Sequence, residues 1–548
     1  MGSIEPSYLP VPLSRILVVL ALAAQIVVAW RYWGLTWDDS AITLGFSRTF
    51  ALTGKIEPTP GSGIVEGYST TLWMLLMTVA AKFASTPTGL LAIAKISSLL
   101  LNLANILLMR RWFLTWTNEI CSNLIAGSIG CGLMFYETIN GMETPLILAL
   151  VLAMLLLLPL SDRTGRFFYL LAGSALLLTR WEAAWLLVPF VLVENSVRRA
   201  VLASTTWLTV FIVSNLVRWR YFGSILPNTV IAKRGVPYSE PFRGLEVYRH
   251  LLEPVYIVAS CKVLIAVLAA SLLFDRFVRG KREPLFERLR RALLRSWQLR
   301  FTFLFTLFAL VLATAIGENW GPQFRSFYSA WPFLFCLLIL PVATDLRSRA
   351  LPWATVAICL FALLRLSVRV HELSSKDAPV YMAGATISNV ASIDTDLTAI
   401  KTASHRQSLL FAGPDVGGIL LYSDGIRVID LGLLCDPVLA RQRYAAIDSY
   451  VMQQRRPDVI EVHGMWTSLT NLHNSPLFRK LYRPVYVDGR RFFLSRNLIA
   501  TIDPDRLTER SFNADGHPED IDILSANIRY SAADDALNRD FGGYLVFQ

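Results

Sequence analysis

Repeated apolar runs constrain this chain more than any other feature of its sequence. Many of them are about 16–21 residues long, close to the length that crosses ~30 Å of hydrocarbon. The 548 residues are 54% hydrophobic with a mean hydropathy of +0.46, which is too apolar for a soluble protein of this length. The sequence therefore predicts a polytopic α-helical membrane protein with about 11 transmembrane helices. The predicted spans are 13–32, 89–109, 121–137, 145–160, 167–179, 183–194, 200–217, 254–274, 301–316, 328–344 and 350–367.

Composition and cysteine placement disfavour several other classes of protein. No small-residue cleavage site follows Trp30–Trp33, so the first apolar run is interpreted as a span rather than a cleavable signal peptide. The net charge of +11 mainly reports orientation in a membrane protein, not a nucleic-acid partner. Cys435 is the only cysteine in the polar C-terminal region, and the sequence has no Cys/His metal spacing.

The loop Asp275–Arg300 sets the predicted orientation. It holds nine basic and three acidic residues, a net charge of 9 − 3 = +6, which places it in the cytoplasm. The apolar segment Thr70–Ala84, about 15 residues long, suits an interfacial or re-entrant helix as well as a span. If it crossed the membrane, every basic cluster would move to the outside. We therefore predict an interfacial segment, a cytoplasmic N-terminus and an extracytoplasmic C-terminus.

This orientation brings the polar motifs to one face of the membrane. The motifs are Trp37-Asp38-Asp39, Val65–Tyr68, Asn140–Thr144, Arg180–Glu182, Phe222–Lys233 and Gly317–Arg325. They predict one extracytoplasmic site built from several helix ends. Carboxylates, amides, aromatic rings and isolated basic residues suit a sugar attached to a phosphate.

Asp38 and Asp39 follow the first apolar run directly. A charge near hydrocarbon is costly unless it faces a polar cavity or a partner. A carboxylate in a partly dehydrated pocket has a raised pKa and can act as a general base. The alternative is that an Asp caps the helix beginning at Ser40. Two in tandem, with other acidic residues at the same face, favour catalysis.

The remaining candidates are substrate-binding residues with structural alternatives. Arg48 could bind a phosphate or form a salt bridge. Glu143 and Glu182 could satisfy helix N-termini, although Arg180 beside Glu182 favours a functional cluster. The other candidates are Glu66, Tyr68, Asn228, Lys233, Glu318 and Arg325. Single aromatic rings here could equally belong to the interfacial aromatic belt.

Several of these motifs together resemble a known superfamily. Trp37-Asp38-Asp39 with Arg48, then Val65–Ser69 and Leu72-Trp73, resembles the first outer loop of the GT-C glycosyltransferases. The likeness is greatest to the mycobacterial terminal β-(1→2) arabinofuranosyltransferase family and spans most of residues 15–465. It continues in matching order through Gly141–Thr144, Arg180–Glu182, Tyr221–Lys233, Gly317–Arg325, Gly413–Gly418 and Val428–Leu433.

The resemblance implies an inverting transfer of a sugar, with arabinofuranose as one candidate, from a polyprenyl-phosphate donor. The acceptor would be a cell-envelope glycan or a lipid-linked acceptor on the outer face of a bacterial inner membrane. One carboxylate of Asp38 or Asp39 would deprotonate the acceptor hydroxyl, and polyprenyl phosphate would leave. The carboxylates permit a divalent cation, but no ligand spacing demands one. The alternatives are a lipid-linked glycan transporter or flippase without transferase activity, and a structural scaffold.

The chain turns polar after about residue 370, which predicts a GT-C-like transmembrane domain over 1–370, with a catalytic first outer loop at 33–69. Alternating patterns predict an extracytoplasmic α/β domain over 371–548. The expected strands are 407–413, 427–431 and 458–462, the helices 415–423 and 437–455, and a hairpin 484–493. The tail from Thr501 is expected to be extended. Asp415–Gly418 is interpreted mainly as a strand-to-helix connection, with a phosphate or sugar loop as the alternative.

Overall fold

The computed structural model describes residues 10–233, 296–316, 325–343, 351–374, 387–518 and 532–548, with isolated positions between 261 and 293. Its contacts divide the chain into two compact units. Unit 1 comprises residues 1–33, 92–214 and 244–378, and unit 2 comprises residues 34–91, 215–243 and 379–548. The sequence places a boundary at residue 370 because composition changes there. The contacts also assign residues 34–91 and 215–243 to the unit that contains the C-terminal region.

Unit 1 is built from apolar helices. Its helices and helical turns are Pro10–Arg31, Pro87–Leu114, Glu119–Ser128, Ile129–Leu133, Phe135–Asn140, Thr144–Leu157, Arg163–Thr179, Trp181–Leu187, Val188–Leu192, Val197–Phe222, Trp297–Ile316, Arg325–Ala330, Trp331–Ala343 and Leu351–Ser374. Two of these, Pro87–Leu114 and Val197–Phe222, extend across a unit boundary. Aromatic rings fill much of the core, with Trp112 meeting Phe301 and Phe333 edge to face.

Four helices in the described part of the chain are long and apolar enough to cross a membrane. They are Val11–Arg31, Pro87–Leu114, Val197–Phe222 and Trp297–Thr314. The other apolar helices are shorter, at 10–17 residues. The segment predicted to be interfacial forms the 11-residue helix Thr71–Ala81, about half the length that a span requires. The predicted span 254–274 and the basic loop 275–300 lie almost entirely outside the described residues.

Unit 2 combines helices with one seven-stranded sheet. Its helices and helical turns are Asp38–Thr53, Thr71–Ala81, Asn228–Ala232, Ile387–Ala403, Gly417–Tyr422, Pro437–Gln442, Arg443–Ala446, Ile447–Arg455, Met465–Thr470, Leu472–Asn474, Pro476–Leu481, Arg496–Ile499, Pro504–Arg506 and Ala532–Phe541. The strands are β1 Leu409–Gly413, β2 Ile426–Asp430, β3 Val459–Ile460, β4 Tyr482–Val487, β5 Arg490–Ser495, β6 Leu507–Ser511 and β7 Gly543–Phe547. The strand order is β2-β1-β3-β5-β4-β7-β6.

The sheet has a parallel and a mixed half. β1 runs parallel to both β2 and β3, as βαβ crossovers require. β4 and β5 form an antiparallel hairpin whose turn residues Asp488 and Gly489 have positive φ angles of 45° and 79°. Two positive φ values suit the right-handed twist of a tight hairpin, which explains the Asp-Gly pair. The parallel half and the hairpin agree with the sequence-based prediction.

The end of the chain differs from the prediction. The tail from Thr501 was expected to be extended, but β6 pairs antiparallel with β7, and β7 pairs parallel with β4. Leu537 of the helix Ala532–Phe541 is fully buried in the sheet's core. The predicted helix 437–455 is also divided into three helical segments. Polar composition concealed the tail's pairing, because edge strands need few apolar residues.

Candidate active site

Asp38 is the more extensively hydrogen-bonded of the two tandem aspartates. It is the first residue of the helix Asp38–Thr53, and it does not cap that helix, whose N-cap residue Trp37 makes no side-chain capping bond. Its carboxylate instead accepts hydrogen bonds from the backbone N–H groups of Gly417, at 2.7 Å, and Gly418, at 2.6 Å. A Cβ at Gly417 would lie 2.2 Å from the Asp38 carbonyl oxygen, so the contact requires glycine.

The electrostatics of Asp38 follow from this burial. Its side chain is buried, and burial raises the pKa of Asp38 well above its usual value. The nearby charges of Asp415 and Asp39 raise the pKa further, while the two backbone N–H groups oppose the change. Because both oxygens already accept hydrogen bonds, Asp38 has little freedom to reach a substrate.

Asp39 has a different environment. Its side chain is half-buried, and no described residue forms a hydrogen bond or ion pair with its carboxylate. The helix therefore presents two adjacent carboxylates, one bound by backbone and one without such a partner. Only Asp39 keeps both oxygens available for a reacting group.

Arg48 binds the carboxyl end of the short helix Gly417–Tyr422, whose amino end binds Asp38. Asp38 and Arg48 together form what we call the clamp on this helix. Its guanidinium donates to the carbonyl oxygens of Leu421 and Ser423, at 3.2 and 3.1 Å, and pairs with Asp424 at 2.6 Å. A carboxylate thus lies at the amino end of the short helix and a guanidinium at its carboxyl end, as the helix dipole favours. These contacts agree with the salt-bridge interpretation of Arg48. Because they occupy the guanidinium, Arg48 is poorly placed to bind a phosphate.

Glu66 forms a buried ion pair with Arg218. The distance is 2.6 Å, and the side chains are 3% and 10% exposed. Arg218 also donates to Asn215 at 3.0 Å, and burial raises the pKa of Glu66 while Arg218 opposes that change. Sequence reasoning did not single out Arg218. A basic residue following the apolar run 200–217 was the available signal.

Tyr68 and Asn228 serve the packing of unit 2. The Tyr68 ring is buried and meets Phe46 edge to face, with ring centroids 5.2 Å apart. Asn228 is buried and its amide donates to the carbonyl oxygens of Leu434 and Asp436, at 2.7 and 3.2 Å. Both side chains therefore lie in the interior of unit 2, and their substrate-binding role stays a prediction. Lys233 is exposed at the end of the helix Asn228–Ala232.

Three other predicted residues meet within unit 1. Arg180 pairs with Glu143 at 2.9 Å and with Glu182 at 2.5 Å. Glu143 is 1% exposed, and the other two side chains are 19% exposed. Two carboxylates outnumber one guanidinium here, which makes the cluster a poor phosphate site. Arg325 begins a helical turn, and Glu318 lies outside the described residues.

A second group of ionisable residues in unit 2 was not recognised from the sequence. His463 lies between Glu461 and Asp415 at the end of the parallel strands, with nitrogen–oxygen distances of 2.8 and 3.5 Å. The only indication in the sequence was a histidine two residues after an acidic residue, just beyond a short strand, and this indication is weak. Among the described residues, no three His, Cys, Asp or Glu side chains form a cluster that could hold a metal ion.

Comparisons with known proteins give likeness in structure only. No protein-family model matches the chain, and no curated protein matches its sequence. ArnT from Cupriavidus metallidurans in the apo state matches with a TM-score of 0.53 and 12% identity, over 89% of this chain and 99% of that chain. The same protein bound to undecaprenyl phosphate matches with a TM-score of 0.50 at 12% identity, over the same shares.

An archaeal structure shows a similar likeness. The Archaeoglobus fulgidus oligosaccharyltransferase, tethered with an acceptor peptide, matches with a TM-score of 0.50 and 11% identity, over 88% of this chain and 74% of that chain. At these identities the likeness concerns the fold and not the activity. The chain has a helical, GT-C-like fold with a C-terminal sheet region.

Proposed function

We propose that the protein is an inverting membrane glycosyltransferase that transfers a sugar from a polyprenyl-phosphate donor. The acceptor is a cell-envelope glycan or a lipid-linked acceptor. The GT-C-like fold supports this class, as does the ordered set of motifs that resembles the arabinofuranosyltransferases. ArnT, one of the structural neighbours, has been determined with undecaprenyl phosphate bound, and the archaeal neighbour carries an acceptor peptide. Arabinofuranose is the sugar that the motif resemblance favours.

The contrast between the two tandem carboxylates carries the catalytic part of the proposal. Asp38 gives both oxygens to Gly417 and Gly418, whereas no described residue bonds to the half-buried carboxylate of Asp39. A general base must come within hydrogen-bond reach of the proton that it removes. Asp39 is therefore the base, and Asp38 holds the helix that presents it.

The transfer needs one base and a good leaving group. Asp39 takes the proton of an acceptor hydroxyl as that oxygen attacks the anomeric carbon. The bond from the anomeric carbon to the phosphate oxygen breaks, and polyprenyl phosphate leaves with that electron pair. Attack opposite the leaving group inverts the anomeric configuration. A phosphate leaves without needing a proton, so a second catalytic acid is not required. The roles of Lys233, Glu318 and Arg325 as donor contacts stay predictions.

The proposed setting is the outer face of a bacterial inner membrane. Eleven spans, a cytoplasmic N-terminus and an outer C-terminus follow from the charge of the loop Asp275–Arg300. Nucleotide sugars are absent from that face, so the donor is lipid-linked. The transmembrane domain over 1–370 and the extracytoplasmic domain over 371–548 are part of this proposal.

The decisive experiment compares two single substitutions in purified protein. The assay supplies polyprenyl-phosphate arabinofuranose and a short arabinan acceptor in detergent, and detects the new glycosidic bond by mass spectrometry. We expect Asp39→Asn to lower kcat at least about 100-fold, since general bases contribute about 10²–10⁴, with an unchanged melting temperature. Asp424→Asn is the matched control, because Asp424 is 86% exposed and lies outside the catalytic step. Full activity of Asp39→Asn contradicts the assignment of the base.

A transport function makes a different prediction. A flippase would move a labelled lipid-linked sugar between the leaflets of a vesicle without forming a glycosidic bond. Vesicles that contain wild-type protein and labelled polyprenyl-phosphate arabinofuranose distinguish the two. Movement of label without a glycosylated product, in the presence of acceptor, contradicts the transferase proposal. Replacing the donor with a polyprenyl-phosphate hexose tests the choice of sugar.

Orientation can be tested with single cysteines and a membrane-impermeant maleimide. Asp424 is 86% exposed in unit 2, and Val197, the first residue of the helix Val197–Phe222, is 82% exposed in unit 1. The native cysteines at described positions are all buried. We expect Asp424→Cys to be labelled in intact spheroplasts and Val197→Cys only after lysis. The reverse pattern contradicts the proposed orientation.

A further inference from the structure

His463 is held between two carboxylates in unit 2. Its Nδ1 lies 2.8 Å from an oxygen of Glu461, and its Nε2 lies 3.5 Å from an oxygen of Asp415. Glu461 is 2% exposed, whereas His463 and Asp415 are 19% and 27% exposed. The three residues form a line that runs from the interior towards the surface.

Strand topology brings these residues together. β1 and β3 are parallel neighbours, with Phe411 opposite Val459 and Ala412 opposite Ile460. Asp415 follows the end of β1, and Glu461 and His463 follow the end of β3. The carboxyl ends of parallel strands meet at one edge, which is where open α/β sheets bind ligands. This edge therefore collects a histidine and two acids from segments that are distant in sequence.

The same turn holds Asp38. Asp415 lies two residues before Gly417, and the N–H groups of Gly417 and Gly418 donate to the Asp38 carboxylate. The charge of Asp415 is, after burial, the largest influence that raises the pKa of Asp38. The turn thus joins the histidine on one side to the tandem acids on the other.

The surroundings of His463 favour its protonated, positively charged form. Burial opposes a protonated ring, but Glu461 and Asp415 outweigh burial and raise the pKa of His463 well above its usual value. The next residue along the chain, Gly464, donates its N–H to Asp534, which pairs with Arg491 at 2.5 Å. The imidazolium therefore offsets the negative charge of Asp415, two residues before the Gly417 N–H that donates to Asp38.

We propose that His463 is a positioning residue for the transfer, acting through Asp415 to fix the turn that holds Asp38. This inference rests on the proposed function. His463 does not contact the reacting atoms in this scheme. Glu461 orients the ring, and the ring orients and neutralises Asp415.

The test is a double-mutant cycle on transfer activity, with His463→Gln, Asp415→Asn and the double variant. We expect His463→Gln to lower kcat about 10-fold or more, while KM for the donor changes less than about twofold. The acid limb of kcat/KM should move to higher pH, because the uncompensated charge of Asp415 then disfavours the ionised Asp38 carboxylate that accepts from Gly417 and Gly418. Asp415→Asn should move that limb to lower pH, and the double variant should match Asp415→Asn alone.

Other charged groups on elements packed against the turn stay constant across these variants. They are Arg48 with Asp424, Asp394 beside Ser423, Asp396 with Arg490, Lys401, and the buried Asp430. Arg490→Gln is a matched control, because it removes a buried ion pair with a 2.5 Å contact from the same unit. We expect it to lower the melting temperature without moving the pH profile.

Each failure has a distinct signature. The inference is overturned if the wild type transfers sugar and the acid limb moves in neither single variant, or if the two substitutions act additively. Asp415→Asn keeps the test valid if His463→Gln does not fold, since Asp415 is partly exposed. A wild-type protein that forms no glycosidic bond overturns both the inference and the proposed function.

Discussion

Two sites in the molecule, one in each unit, bury a carboxylate by different means. In unit 1, Glu143 is paired with the guanidinium of Arg180, which also binds Glu182. In unit 2, two backbone N–H groups at the amino end of a short helix hold Asp38, and no basic side chain of the described residues pairs with it. A guanidinium balances charge and can be removed by one substitution. A backbone donor cannot be removed in that way, so the second arrangement fixes main-chain geometry as well as charge.

The same difference separates Asp38 from its neighbour. Backbone donors hold Asp38, and no described residue bonds to Asp39. Asp38 and Asp39 have the same side chain and begin the same helix, yet their surroundings differ. Four predictions test the comparison, from the largest expected effect to the smallest.

The largest loss of stability is expected in unit 1. Arg180→Met leaves Glu143, 1% exposed, without its guanidinium partner. Removing one member of a buried pair costs about 3 kcal/mol in the free energy of unfolding. The measurement is the melting temperature in detergent. Glu143→Gln combined with Arg180→Met should recover part of the loss, and an unchanged single variant would show that the pair does not stabilise this region.

Removal of the Asp38 carboxylate should cost less. Asp38→Ala leaves the buried N–H groups of Gly417 and Gly418 without an acceptor, which costs about 2 kcal/mol. Thermal unfolding in detergent measures the loss, and Asp424→Ala, at an 86% exposed position, is the control. Equal melting temperatures for the two variants would contradict the structural role of Asp38.

Close packing beside the clamp gives a third test. A Cβ at Gly45 would lie 2.5 Å from the Cβ of Leu420 and 2.8 Å from its backbone carbon. Gly45→Ala should therefore lower stability by about 1–2 kcal/mol, although alanine favours helices. Gly34→Ala, with nothing within 4 Å of the added carbon, should leave the melting temperature unchanged. A Gly45→Ala protein as stable as wild type would show that the two helices can separate freely.

The smallest effect belongs to Arg48. Its partner Asp424 is 86% exposed, so the ion pair itself contributes little, and the carbonyl contacts supply most of the effect. Arg48→Met should cost about 1 kcal/mol and depend weakly on salt. Melting temperatures at low and high NaCl measure both quantities. A loss as large as that of Asp38→Ala would mean that the two ends of the clamp are equivalent.

The local patterns of the chain predicted much of the fold. The Asp488-Gly489 turn located the hairpin, because the positive φ angles of a tight turn are a local property of the sequence. The apolar runs predicted a helical protein, and the observed helical, GT-C-like fold agrees with that prediction. The C-terminal strands β6 and β7 were missed, because their pairing joins segments distant in sequence.

The sequence by itself determined the helical class, the tandem carboxylates and their place directly after the first apolar helix. It left Asp38 and Asp39 equivalent, because adjacent residues of the same type carry no signal of their partners. Only the tertiary structure separated them, since the N–H groups of Gly417 and Gly418 come from a turn nearly 380 residues later in the chain. The same long-range packing pairs Glu66 with Arg218 and Asp415 with His463. Burial decides which charges need partners, and burial is a property of the folded chain.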